Sequence, residues 1–184
     1  MKSINKSLEN LSKELNNHQL LEYEYLPDLE LYMDQLTSFL DRIFNSYQIE
    51  YDQPLITQAM VNNYVRGEVI DKPYNKRYNK DHLAKIIEVA LLKQVVELED
   101  IKEIFASKKK KKISNTYNDF VEKFNDELQI EAKKLKNGLK KAQENDLNAI
   151  YDLAIGFAIK AVINKMMEEK ILKYIEIYKK TKDE

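Results

Sequence analysis

Leu55 to Phe105 reads LITQAMVNNYVRGEVIDKPYNKRYNKDHLAKIIEVALLKQVVELEDIKEIF. Met60, Val61, Tyr64 and Val65 recur at helical spacing, so residues 55–70 are predicted to hold a short amphipathic helix. Thr57 fits its N-cap and Gly67 its stop. The opposite face carries Gln58, Ala59, Asn62, Asn63 and Arg66. Val69 and Ile70 then tuck back, and Asp71-Lys72-Pro73 turns the chain. Lys72 to Arg77 has no apolar aliphatic residue but contains Tyr74 and the cations Lys72, Lys76 and Arg77. Asn79 can cap the next helix, whose stripe Leu83, Ile86, Ile87, Ala90, Leu91 and Val95 runs to about residue 96. Leu98, Ile101, Ile104 and Phe105 mark a last short helix over 98–105, with Glu97 as a weak cap.

Upstream, Tyr32, Leu36, Phe39, Leu40, Ile43 and Phe44 predict a helix over 28–46, with Pro27 in its first turn and a loop at 47–54. Ile4, Leu8, Leu11 and Leu15 predict another within 4–21. Downstream of Lys108–Lys112, which reads as a solvated hinge, a long amphipathic helix spans 114–142. Asn145 or Asp146 caps a final helix over 146–180. From Leu147 to Met167 that helix is apolar on more than one side, so it must lie inside a bundle or join two subunits.

Composition supports an all-helical chain. The 184 residues contain three Gly and three Pro. Average usage gives about 22 of the two together, and an all-β fold needs them for its turns. There is no Cys, which removes disulfides, thiolate metal sites and thiol nucleophiles. His18 and His82 are too far apart for an HExxH helix, and His82 reads as a packing or capping residue. No phosphate-cradling glycine loop or nucleophile elbow is present. No catalytic residue, cofactor or metal is therefore expected, and the chain is not read as an enzyme. The N-terminus lacks a signal-like apolar run, and Leu153–Ile163 is interrupted by Lys160 and short for a bilayer span. A cytoplasmic protein without membrane contact is the expectation.

The arrangement of parts resembles a winged helix-turn-helix of the mercury-resistance-regulator (MerR) type. Thr57–Arg66 stands where that type has its recognition helix, and Glu68-Val69-Ile70 where it has its turn. Asp71–Tyr78 stands for the wing, Asp81-His82-Leu83 for the next helix start, and Leu98–Ile104 for the closing LEDIKEI helix. With the upstream LPDLELYMDQL (Leu26–Leu36), the N-N-Y helix, the K-R-Y wing and Leu92-Lys93-Gln94, the chain closely resembles the bacterial domain of unknown function 1836 family over about 26–105. The connection Asn45–Pro54 is longer than the tight turn usual in MerR-type domains. The resemblance implies an all-α fold with a MerR-like winged helix-turn-helix core followed by a two-helix C-terminal extension. It brings no established activity with it.

The chemistry of DNA readout suits these residues. Gln58 and Asn62 can bond adenine edges and Arg66 guanine, from one face of one helix. Lys72, Tyr74, Lys76 and Arg77 can hold phosphates. Residues 1–50 hold 4 Lys/Arg against 9 Asp/Glu and residues 51–112 hold 13 against 9, but five of those cations are Lys108–Lys112 and without them the count is 8 against 9, so the case rests on where the cations sit. The chain is thus expected to comprise an acidic lead-in (1–25), a helix-turn-helix domain (26–106), a lysine-rich linker (107–113) and a helical dimerisation or effector region (114–184). The expected partners are double-stranded DNA and a second copy of the chain, in transcription control. The alternative is a helical protein-interaction module that keeps the fold without binding DNA.

Overall fold

The computed structural model describes residues 4–45, 54–143 and 145–182. These form seven α-helices: α1 (Ile4–Asn17), α2 (Met33–Phe44), α3 (Gln58–Arg66), α4 (Lys80–Leu92), α5 (Leu98–Ser107), α6 (Ile113–Lys141) and α7 (Leu147–Lys180). A 3-10 turn at Tyr23–Tyr25 lies between α1 and α2. The all-α expectation holds for the described residues, which contain only two isolated β-bridges, Leu31 with Tyr78 and Tyr74 with Arg77. The expected loop at 47–54 lies, Pro54 apart, outside the described residues.

The chain divides into two compact units. One is Lys13–Ala132; the other joins the described residues of 1–12 to those of 133–184. In the 13–132 unit the lead-in is tied to α6 by two asparagine amides. Asn125 accepts from the Leu20 amide (2.9 Å) and donates to the Leu20 carbonyl, and Asn118 accepts from the Tyr23 amide (2.7 Å). The Tyr23 hydroxyl donates to Asp81 at the start of α4 (2.6 Å), and its ring meets Tyr117 edge to face.

The centre of this unit is α4, which buries Leu83, Ala84, Ile86, Ile87, Glu88, Val89 and Ala90. Around it lie the buried Leu36, Leu40 and Phe44 of α2, Val61 and Tyr64 of α3, Ile101 of α5, and Tyr117 and Val121 of α6. Asn79 caps α4 by accepting from the His82 amide, and His82 Nδ1 accepts from the Asn79 amide in return. Burial holds the His82 imidazole below its ordinary pKa, which suits a structural residue.

Several helix boundaries differ from the sequence-based expectation, each for a local reason. α2 begins at Met33, not 28, because Leu31 exchanges two backbone hydrogen bonds with Tyr78 (2.9 and 2.8 Å) and stays extended. Pro27 therefore precedes an extended segment, not a helical first turn. α1 ends at Asn17, and α3 covers only Gln58–Arg66. α4 stops at Leu92, where the Lys93 amide caps back onto Val89 and a short turn delivers the buried Val96. Gly67 does cap α3, but the left-handed residue is Glu68, at φ 57°. Gly67 is instead the place where a side chain would crowd Leu98 of α5 and the Asn63 carbonyl.

In the second unit, α6 and α7 are joined through Asp146, whose carboxylate accepts from the amides of Asn148 and Ala149. Asn5 of α1 accepts from the Asn145 amide (3.0 Å), and Asn145 accepts from the Ile4 amide. Gly138 of α6 lets α7 come close, since a Cβ there would collide with Leu153. Nothing on α7 is buried. Leu147, Tyr151, Ile155, Ile159, Val162 and Met166 are all exposed, Tyr151 at 65%. At 3.6 residues per turn these six share one stripe. α7 is also long and apolar enough, by length and composition, to cross a membrane. That corrects the expectation drawn from Leu153–Ile163 alone, because the helix runs 34 residues and its apolar positions extend beyond that stretch.

Candidate nucleic-acid interface

α3 is short, and its orientation is set by its apolar residues. Val61 and Tyr64 are buried, Tyr64 at 3% exposure. Thr57 accepts from the Met60 amide (3.2 Å) and fixes the N-terminus. With those two residues turned inward, Gln58, Ala59, Asn62, Asn63 and Arg66 are left exposed. Gln58, Asn62 and Arg66 follow one another at i, i+4 and i+8, so the helix itself brings them together. The Tyr64 hydroxyl is buried with no hydrogen-bond partner among the described residues, and burial raises its pKa.

From α3 the chain passes through Gly67–Ile70, where the amides of Val69 and Ile70 both donate to the Tyr64 carbonyl. Val69 and Ile70 are buried. Asp71 accepts an ion pair from Lys85 of α4, which holds its carboxyl below the usual range and fixes the base of the segment that follows.

That segment is a tight hairpin. Tyr74 and Arg77 pair across a two-residue turn, with the Arg77 amide donating to the Tyr74 carbonyl (2.8 Å). Asn75 and Lys76 both have positive φ, 47° and 61°. Two successive left-handed residues are what a primed hairpin turn requires, and Asn accepts that conformation more readily than Lys. The turn places the Lys76 side chain in solvent, beside Tyr74 at 77% exposure. Tyr78 leaves the hairpin into the core, bridged to Leu31.

The four hairpin residues predicted from sequence are not equivalent. Lys72 and Lys76 are exposed. Arg77 is already engaged: it donates to Glu30 (3.2 Å) and to the Tyr32 hydroxyl (3.2 Å) and lies over the Tyr32 ring at 5.1 Å. These partners hold its pKa above the ordinary value, with the Tyr32 bond the largest cause. Arg77 thus braces the hairpin against the segment before α2. Glu30 was not singled out from sequence, and Tyr32 was read only as part of the α2 stripe, whereas it is exposed at the helix N-cap. Nothing local links Glu30 and Tyr32 to Arg77, 47 and 45 residues away.

A family model described as "Domain of unknown function (DUF1836)" matches residues 21–127. No curated protein matches the chain, and neither does any solved structure. The matched span covers the lead-in tie, the helices α2 to α5 and the first half of α6.

Proposed function

The chain belongs to the DUF1836 family, and we propose that it is a DNA-binding transcription regulator built on a MerR-like winged helix-turn-helix. In this reading α2 and α3 are the helix pair, α3 enters the major groove, and the Asp71–Tyr78 hairpin is the wing. The observation that carries it is the rotation of α3. Its two aromatic and aliphatic anchors face the core, while Gln58, Asn62 and Arg66 form a solvent-facing row of side chains able to bond base edges. The wing follows within a few residues and presents Lys72, Tyr74 and Lys76 to solvent. Arg77 adds a weaker phosphate contact, since Glu30 already neutralises part of its charge.

Dimerisation through α7 completes the proposal. Two recognition helices would then sit about 34–36 Å apart, one turn of DNA. Leu153 sits against Gly138, which is flanked on α6 by Lys136, Lys140 and Lys141. The free apolar stripe of α7 is the face proposed to meet the second copy. The same free face is the one observation that favours the second reading, a protein-interaction module that does not bind DNA.

Titration of fluorescent genomic fragments at graded salt tests the proposal. Log K against log [salt] should fall linearly, and Lys72→Ala and Lys76→Ala should each flatten the slope by about 0.9. A slope unchanged in both variants would remove the wing from the interface.

A further inference from the structure

Apart from the exposed faces, the 13–132 unit contains a cavity of about 220 Å³. Its walls come from the turn after α3 (Glu68, Val69, Asp71), from Lys85 and Glu88 of α4, from α5, from the lysine run and from the start of α6. We propose that this cavity is a binding site for a small organic anion with an apolar body.

Size comes first. The volume is below the 300–1,000 Å³ of drug-sized pockets and corresponds to about seven waters at ≈30 Å³ each. Only a compact ligand fits. The lining also includes the apolar side chains of Val69, Phe105, Ala106 and Ile113. The ligand therefore needs a hydrophobic part to gain from leaving water.

Charge decides the sign. Five lysines line the cavity, Lys85, Lys102, Lys108, Lys109 and Lys111, against Glu68, Asp71 and Glu88. Lys85 is paired with Asp71, and Lys102 with Glu68. Lys111 lies 4.0 Å from Asp119. Lys108 and Lys109 make no ion pair with a described residue. The lining thus carries five lysines against three carboxyls, and the lysine run, read from sequence as a hinge, supplies the cations that make no ion pair with a described residue, although Lys108 and Lys109 also act on Glu88, Glu68 and Asp71 from a distance.

Glu88 supplies the specific contact. It is 5% exposed, on a helix otherwise buried through apolar residues. Burial pushes its pKa up to about 7, and Lys108 and Lys85 offset that only in part. A buried carboxyl near that value is largely protonated below it and donates a hydrogen bond to an anion; ionised, it repels one. Glu68 and Asp71 are held below the usual carboxylate range by Lys102 and Lys85. Burial holds the His82 imidazole below its ordinary pKa, against the opposing pull of Asp71. Glu88 is therefore the lining group that titrates near neutrality, and anion binding should strengthen as pH falls from about 8 to about 6.5.

The test uses the full chain and three probes of one shape: benzoate, benzyl alcohol and benzylamine. Amide shifts at Val69, Phe105 and Ile113, followed by NMR, report occupancy. Benzoate should bind saturably, several-fold tighter at about pH 6.5 than at about pH 8. Benzylamine should not bind. Lys108→Ala/Lys109→Ala should weaken benzoate about tenfold, as expected for a lost charge-assisted contact. Glu88→Gln, which keeps a donor, should bind benzoate with no pH dependence. Equal binding of all three probes, no saturation by benzoate, or unchanged affinity in the lysine double variant would overturn the proposal.

Discussion

Two helices of this chain are apolar on more than one side, and they end in opposite situations. α4 buries seven of its thirteen residues, enclosed by α2, α3, α5, α6 and the lead-in. α7 is 34 residues long and buries none. Sequence periodicity cannot separate the two cases, because a moment describes the helix and not its neighbours. What distinguishes them is supply. Short helices and turns surround α4 within about fifty residues on each side, whereas α7 has α6 and the start of α1 in its own unit and keeps a free stripe from Leu147 to Met166. The proposed dimer sets this stripe, free within its own unit, against a second copy of the chain.

The largest test of the contrast is a truncation beside α4. Tyr64→Ala should cost about 3–5 kcal/mol by chemical denaturation, the range for removing a core aromatic. Tyr64→Phe should be neutral or slightly stabilising, because the buried hydroxyl has no partner to lose. A small loss in Tyr64→Ala would mean that α3 is rotated and its exposed face misassigned.

Acid–base behaviour sharpens the same contrast. The folded pKa of Glu88 is about 7, above the carboxylate value of 4.5 in an unfolded chain. The folded state therefore binds more protons between those values, and the contribution of Glu88 to stability is present below pH 4.5 and lost as pH rises through 7. Glu88→Gln removes that loss. Measured against wild type, its stability should improve with pH and end about 3 kcal/mol ahead at pH 8. Parallel pH curves for the two proteins would show that Glu88 is not buried as described.

For α7 the expected effect falls on association. Ile159→Asp/Val162→Asp places two carboxylates on the free stripe, at positions 55% and 60% exposed. Sedimentation should shift from twice the chain mass to the chain mass, with affinity lower by about a hundredfold or more. The thermal transition of the 13–132 unit should not move. A wild-type chain that sediments as a monomer at micromolar concentration would contradict the dimer.

The smallest effect is in the hairpin. Lys76 occupies a left-handed conformation that favours glycine. Lys76→Gly should leave stability unchanged or raise it by at most about 1 kcal/mol, while weakening DNA binding. Calorimetry beside a binding titration checks both; lost stability would mean that the Lys76 side chain holds the turn.

Much of this was legible in the chain, and what was not has a common cause. The caps Thr57, Asn79 and Asp146, the helices α3 to α7 and the inward face of Tyr64 all follow from local spacing. The start of α2 was missed because Leu31 pairs with Tyr78, far along the chain. The bracing of Arg77 by Glu30 and Tyr32 is equally non-local. Glu88 carried a signal, a single acid inside IIEVALL, but periodicity places it on a face without saying what encloses that face. The free stripe of α7 was visible as an apolar excess, yet its lack of cover in its own unit could be seen only in three dimensions.

The central claim is that α3 reads base edges. Competition binding of a selected genomic fragment against random DNA, compared between wild type and Asn62→Ala, tests it most directly. Asn62 is exposed, so the melting temperature should be nearly unchanged. Discrimination should fall by about 1–3 kcal/mol, the worth of one bidentate base contact. Undiminished discrimination in Asn62→Ala, or no preference for any fragment in wild type, would contradict the claim and leave the protein-interaction module as the better description.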